Sequence, residues 1–207
     1  MIKVKNIEVF NFEGALRGMR NPLESWNQSD SRWEDDLLIE LPTFKVGQRD
    51  MTLALKLIKA GTDHSKFMRQ IFVSMDITAP LYWWKEMDQY RVGCTTNSTS
   101  TMHKLGTREL TKRDFSWDKM TKERLDTLNH INTLAKKWRE SNKENKEIWR
   151  EMIQDLPDSF LQMRTWTANY QVLRNIYYAR KNHKLQEWRD FCWEIKKLPF
   201  SKLIIEG

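Results

Sequence analysis

"MRQIFVSMDITAPLYWWKEMDQYRVGCTTNSTS", residues 68–100, decides how the rest of the chain is read. From Met68 to Thr78 the pattern has period two. Ile71, Val73, Met75 and Ile77 fall on one face; Phe72, Ser74, Asp76 and Thr78 fall on the other, as in a half-buried strand. Pro80 cannot extend a central ladder, but it suits the first position of a helix. The strand is therefore expected to pass at Ala79-Pro80 into a helix carrying Tyr82, Trp83, Trp84, Glu86, Gln89, Tyr90 and Arg91. On that helix Tyr82, Glu86 and Gln89 or Tyr90, three and four apart, would share a face. A Ser/Thr/Asn-rich loop with Gly93, Cys94 and Asn97 follows. Its hydroxyls, amide and backbone N–H groups suit a phosphate or the polar edge of a nucleobase. They equally suit a turn that caps its own backbone.

Working outward, Ile2, Val4, Ile7 and Val9 predict a strand. A helical or irregular stretch follows over residues 14–33, punctuated by Gly18, Asn21 and Pro22. Residues 37–50, "LLIELPTFKVGQRD", read as an extended piece ending in a loop. Asp50 reads as the N-cap of a helix that Gly61 closes. Beyond the opening stretch, residues 107–117 form a polar connection. Leu125, Leu128, Ile131, Leu134 and Trp138 then mark a long amphipathic helix. "SNKENKE" breaks it, a second segment holds Ile148, Trp149 and Met152, and Leu156-Pro157 ends that segment. A further long helix is expected over roughly residues 159–180, and a last one within residues 182–198. There are no repeats, low-complexity tracts or linkers. A few strands followed by several helices make one α+β domain over residues 1–207.

The chain has 207 residues, 40% hydrophobic and 30% charged, which excludes a disordered chain. No apolar run reaches the length of a membrane span, so no membrane partner is expected. The alternating, charged start "MIKVKNIEVFNF" does not read as a signal peptide, so none is expected. Cys94 and Cys192 read as reduced thiols in a cytoplasmic protein. The formal net charge of +7 fits either plain solubility or an anionic partner. The basic residues are spread along the chain instead of concentrated on one element, which speaks against nucleic acid. Ten tryptophans make a core, and planar ligands also stack on tryptophan.

His64, His103, His130 and His183 lack paired ligand spacing, so no metal site is expected. With seven glycines there is no P-loop and no dinucleotide fingerprint. Cys94 lies near Arg91, which could lower its pKa, or it fills a gap. In "WTANYQVLRNIYYAR", residues 166–180, Leu173, Ile176 and Tyr177 form an apolar stripe. Asn169 and Arg180 are less easily explained by packing, and arginine suits bidentate recognition of phosphate or a pyrimidine carbonyl.

Together the two clusters resemble the flavin-dependent thymidylate synthases. "ITAPLYWWKEMDQYRVGCTTNSTS" is similar to that family's strand, Ala-Pro turn and helix leading into Arg-His-Arg and a Ser, Asn-Glu, Ser, Arg-Tyr loop. Ala79-Pro80 match, Arg91 falls on the last arginine, and Asn97 and Ser100 fit the loop if one residue is inserted. "WTANYQVLRNIYYARKNHKLQ" is similar, without a gap, to the Trp-Thr-x-Asn segment. Trp166, Asn169, Leu173, Asn175, Arg180 and Gln186 fall in place. The family's Arg-His-Arg reads Gln89-Tyr90-Arg91, its Arg-Gln reads Lys85-Glu86, its Asn-Glu reads Asn97-Ser98, and a later loop arginine reads Met102. One more arginine falls on Met163, with Arg164 adjacent.

The resemblance implies a twisted antiparallel sheet flanked by several long helices, assembled as a homotetramer with FAD sites between subunits. It implies transfer of a one-carbon unit from methylenetetrahydrofolate to C5 of dUMP, with NADPH reducing the FAD and no protein nucleophile. Carried over, Arg180 would bind the pyrimidine as the catalytic residue. Arg91, Tyr90, Asn169 and Asn175 would hold the cofactor. Asn97, Ser100 and Glu86 would line the nucleotide site. The thinned arginine set raises the alternative of a diverged homologue that binds a nucleotide or flavin without making thymidylate.

Overall fold

A computed structural model describes residues 2–36 and 41–206. The elements are β1 (Lys3–Phe10), α1 (Phe12–Arg20), β2 (Arg32–Asp36), β3 (Leu41–Lys45), α2 (Gln48–Lys59), β4 (Phe72–Pro80) and α3 (Leu81–Met87). There follow β5 (Thr95–Ser98), α4 (Thr101–Lys104), α5 (Lys122–Glu140), α6 (Lys146–Gln154), β6 (Leu161–Asn169), α7 (Tyr170–Arg180), α8 (Gln186–Lys196) and α9 (Lys202–Ile205). The part of the expected extended piece at residues 37–40 lies outside the described residues. No described helix is long and apolar enough to cross a membrane.

A four-stranded sheet has the order β1-β4-β6-β5, and β2 pairs with β3 in an antiparallel ladder from Arg32↔Lys45 to Asp36↔Leu41. The β4–β6 register is written in its hydrogen bonds. Thr165 Oγ1 donates to Asp76 at 2.6 Å and Thr167 Oγ1 to Ser74 at 3.0 Å. The Tyr170 N–H donates to the Ile71 carbonyl at 3.0 Å and the Leu81 N–H to that of Phe160. As one number rises its partner falls, so the strands run antiparallel. This α+β architecture agrees with the expectation. The period-two reading holds within β4, where Val73, Met75, Ile77 and Ala79 are buried, but residues 68–70, expected at the start of the strand, belong to a 3-10 turn over Lys66–Gln70.

Several expectations need correction. Residues 159–180 are not one helix. Their first half is β6, where Trp166 and Ala168 are buried while Met163 and Thr165 are exposed. The helical stripe after Asn169 masked a period of two before it. Pro80 is the last residue of β4 and the N-cap of α3, not its first turn. Helix α3 ends at Met87, so Gln89, Tyr90 and Arg91 lie beyond it and share no helical face with Tyr82 and Glu86. The Ser/Thr/Asn-rich stretch is not wholly loop, because Thr95–Ser98 forms the edge strand β5.

The chain divides into two compact units. One holds the residues up to Lys5, Asp76–Tyr90 and Thr96–Thr165; the other holds Asn6–Met75, Arg91–Thr95 and the residues from Trp166 on. In the first, Leu128, Ile131, Leu134 and Trp138 of α5 pack with Met152 of α6 and with Leu105, Leu110 and Phe115. Gly106, at φ +84°, allows close packing here: a Cβ would meet the Met152 side chain at 2.9 Å. Trp84, also buried, donates its indole N–H to the Gln162 carbonyl at 3.0 Å.

In the second unit, Phe12 sets its ring edge-on to Tyr170 and Phe200, and Tyr170 donates its hydroxyl to the Pro199 carbonyl. A buried ion pair ties α1 to α2. Arg20 Nε stands 2.6 Å from Asp50 Oδ1, both side chains under 5% exposed. Ser29 and Ser31 donate hydroxyls to the other carboxylate oxygen. Asp50 is therefore not the N-cap of α2. That role falls to Gly47 and to Asp30, whose carboxylate accepts the Arg49 and Asp50 N–H groups.

Burial pushes the Asp50 carboxyl up, but hydrogen bonds from Ser29, Ser31 and Arg20 and the guanidinium charge outweigh it and leave its pKa below the ordinary aspartate value. Such a group stabilises the fold above its unfolded-state pKa, and the contribution is lost as pH falls through the lower folded-state value. Asp50→Asn is expected to cost about 3–5 kcal/mol, because Arg20 is left buried without its counter-charge. Urea unfolding at pH 7 measures that loss. Repeating it below pH 4 should show the gap between variant and parent narrowing.

Candidate functional site

The two motifs meet within the second unit. Asn169 ends β6 and caps α7: its Oδ1 accepts the Val172 N–H at 3.0 Å, and the side chain is 8% exposed. Because the oxygen is committed to the cap, the amide NH2 must be the end directed away from α7. That NH2 lies against Gly93. The glycine has φ +76°, and a Cβ built on it would sit 3.1 Å from Asn169 Nδ2 and 3.3 Å from Val172 Cγ2. The backbone of Arg91–Thr95 thus approaches the start of α7 closely, and any side chain at position 93 would be strained by the positive φ and tight against Asn169 and Val172. Arg91, two residues earlier, is exposed.

The remaining carried-over residues are placed as follows. Arg180 ends α7 half-buried, its guanidinium 4.6 Å from the ring centre of Trp188. This cation–π contact holds the arginine at a defined position. Asn175 is exposed on α7 and accepts from Gln171 Nε2 at 3.0 Å. Tyr90 is half-buried in the turn after α3, and Glu86 is half-buried on α3. Asn97 is exposed on β5. Ser100 caps α4, accepting the His103 N–H at 3.2 Å. The self-capping reading of this stretch therefore applies to Ser100.

Ser100 also lines a cavity of about 300 Å³ in the first unit. The hydroxyls of Thr78, Thr99 and Thr101 join it, with Lys104 and Arg108 as the cations. Arg108 is held by both oxygens of Asp114. Asn97 and Glu86 do not line this cavity. Thr99 and Thr101 belong to the Ser/Thr/Asn-rich stretch whose hydroxyls the sequence marks, whereas Thr78 and Lys104 carry no such mark. The signal for Thr78 is its place on the polar face of β4, beside Ser74 and Asp76.

Met163 lines the same cavity, and neighbouring Arg164 does not. Successive strand residues point to opposite faces. Arg164 is turned toward the covered face, 14% exposed, with its guanidinium 2.8 Å from Asp88 and 4.3 Å from the Trp84 ring centre. It accordingly cannot stand in for an arginine at position 163. Lys85 is likewise engaged, 2.5 Å from Asp158.

Two further expectations change. Burial pushes the Cys94 thiol up from its ordinary value, so nearby Arg91 does not make it a thiolate. Cys192 is buried and pushed up to about 11, with Lys196 and Arg180 opposing the shift only in part. The histidines are not all isolated either. His130, Glu151 and Asp155 bring their donor atoms within 4.8 Å of one another, all exposed, with His130 Nε2 2.7 Å from Asp155.

By sequence, no protein-family model and no curated protein matches the chain. By structure it is similar to thymidylate synthase X (ThyX) from Helicobacter pylori in a crystal structure with FAD and dUMP. The TM-score is 0.75 at 16% identity, covering 100% of this chain and 98% of that one. A second structure of the Helicobacter pylori enzyme complexed with FAD and dUMP gives 0.73 at 15%, covering 99% and 98%. The fold is that of the flavin-dependent thymidylate synthases over its full length.

Two substitutions at Asn169 separate its cap from its amide. Asn169→Ala should lower stability by about 1 kcal/mol through the lost cap. Asn169→Asp keeps the capping oxygen and should melt within a few degrees of the parent, while the NH2 donor is gone. Thermal melts of both variants check this; equal, large losses would show that the amide itself is structural.

Proposed function

We propose that this chain binds FAD and dUMP and transfers a one-carbon unit from methylenetetrahydrofolate to C5 of the pyrimidine, with NADPH as reductant. The observation that carries the reading is the thymidylate synthase fold along the whole chain, at TM-score 0.75. The local chemistry fits a flavin. Asn169 offers an amide donor fixed by its own cap, Gly93 brings backbone beside it, and Arg91 supplies a positive charge. Arg91, Tyr90, Asn169 and Asn175 are the residues we assign to the cofactor. When bound, the flavin supplies hydride to the pyrimidine. The chain's own part is binding and orientation.

Arg180 is assigned to the pyrimidine. Its Trp188 contact pre-orders the guanidinium, so less freedom is lost when it forms a bidentate bond. Ser100 is assigned to the nucleotide together with the hydroxyl-lined cavity and Lys104; Asn97 and Glu86 are carried over on the resemblance. No thiolate takes part, in keeping with the raised pKa of both cysteines. The reading further includes a homotetramer working in the cytoplasm.

A second reading is favoured by one observation: Arg164 and Lys85 are committed to Asp88 and Asp158, and Met163 faces the cavity. Each missing charge-assisted phosphate bond removes about 1.5–3 kcal/mol. On this reading the chain holds a flavin or nucleotide without making thymidylate.

Anaerobic incubation of the purified protein with FAD, dUMP, NADPH and methylenetetrahydrofolate, followed by product analysis, tests both. Thymidylate formation supports the first reading. A yellow protein, or calorimetric dUMP binding, without product selects the second; no uptake of either ligand rejects both. Arg180→Ala should weaken dUMP binding at least about tenfold. Its stability loss should stay near 1 kcal/mol, the size of its stacking contact. Unchanged affinity would remove Arg180 from the site.

A further inference from the structure

Helices α7 and α8 share a surface on which cations and aromatic rings alternate. Arg174 stands 4.8 Å from the Tyr178 ring centre, and Lys181 stands 4.6 Å from the same ring and 5.7 Å from Tyr177. Lys196 lies 5.9 Å from Tyr177 and 5.8 Å from Trp193, and Lys197 lies 5.8 Å from Trp193. Two stripes at helical spacing produce this run: positions 174 and 178 on α7 with Lys181 at its C-cap, and positions 193 and 196 on α8 with Lys197 at its C-cap. Tyr177 is buried beneath the lysines, whereas Trp193 is 60% and Tyr178 40% exposed.

The cations are not all compensated. Glu194 takes Lys197 at 2.7 Å, and Arg174 donates to the Ile204 and Glu206 backbone carbonyls. Lys181 and Lys196 have no carboxylate partner among the described residues. A solvated helix face calls for lysines but not for an indole open to water. Exposed rings interleaved with ammonium groups match a ligand that itself alternates flat apolar faces with negative charge. Single-stranded nucleic acid is such a ligand: its bases stack on aromatic side chains while its phosphates meet the cations. A duplex hides its base faces. A lipid surface would favour aliphatic side chains beside the rings, and none occurs in this run.

We propose that the α7–α8 face binds single-stranded nucleic acid, with bases stacked on Trp193 and Tyr178 and phosphates at Lys181, Lys196 and Lys197. The basic residues that look dispersed in the sequence are gathered here by the packing of two helices. The inference does not rest on the proposed enzymatic reading, and its residues are not those assigned to FAD or dUMP.

Anisotropy titration of a fluorescein-labelled 12-nucleotide oligothymidylate against the full chain at 50 mM salt tests it. Binding is expected in about the micromolar to 100 µM range and should weaken with salt. Trp193→Ala should weaken it roughly five- to a hundred-fold by removing one stacking platform. Lys181→Glu with Lys196→Glu should reduce the slope of log affinity against log salt by about 1.4. Thermal melts confirm that the variants are folded, and excess dUMP should leave the oligonucleotide bound. Absence of binding, variants that bind as the parent does, or displacement by dUMP would overturn the proposal. So would vesicles of phosphatidylcholine and phosphatidylglycerol engaging these residues while the oligonucleotide does not.

Discussion

The antiparallel pairing of β4 with β6 is the constraint on which the rest depends. Its register puts Ile77 opposite Arg164 on the covered face and Thr78 opposite Met163 on the other. Both strands end by handing over directly to a helix, α3 after Pro80 and α7 after Asn169. A slip of one residue would exchange the faces of every side chain on a strand. The hydroxyl-lined cavity would then receive Arg164, and the core would receive Met163. The fold and the chemistry of the candidate site are thus set by one register.

Polar groups are used economically at the handover points. Asn169 satisfies an orphan N–H of α7 with its oxygen and directs its amide toward Gly93. Ser100 caps α4 and also lines the cavity. A side chain that already holds a helix terminus has no rotamer freedom left to lose, so a ligand meeting it finds a pre-organised partner. Arg180 follows the same logic through Trp188.

Fold likeness and chemical likeness part company in the first unit. The architecture of the Helicobacter pylori enzyme is kept over the whole chain at 16% identity. Within that unit Arg164 is paired with Asp88, and Lys85 with Asp158 at the surface. Packing tolerates such exchange because a covered face asks only for volume and satisfied charge. Recognition of a phosphate asks for a free guanidinium at one place, and a neighbour on the opposite strand face cannot supply it.

The amino-acid sequence by itself determined β4, the turn at Ala79-Pro80, the amphipathic helix through Leu128 to Trp138 and the two clusters around Arg91 and Asn169. Each rests on a local period or a residue with one conformational use, and these signals survive without neighbours. Only the tertiary structure decided that Leu161–Asn169 is a strand, that Asp50 is an ion-pair partner of Arg20 instead of a cap, and that Arg164 is spent on Asp88. It also decided that His130 approaches Glu151 and Asp155, and that lysines 15 residues or more apart in the sequence share one face. Those outcomes depend on which segment lies across from which. A short period of two beside a strong helical stripe, or a charge whose partner is tens of residues away, has no local signature that one strand or one helix can show alone.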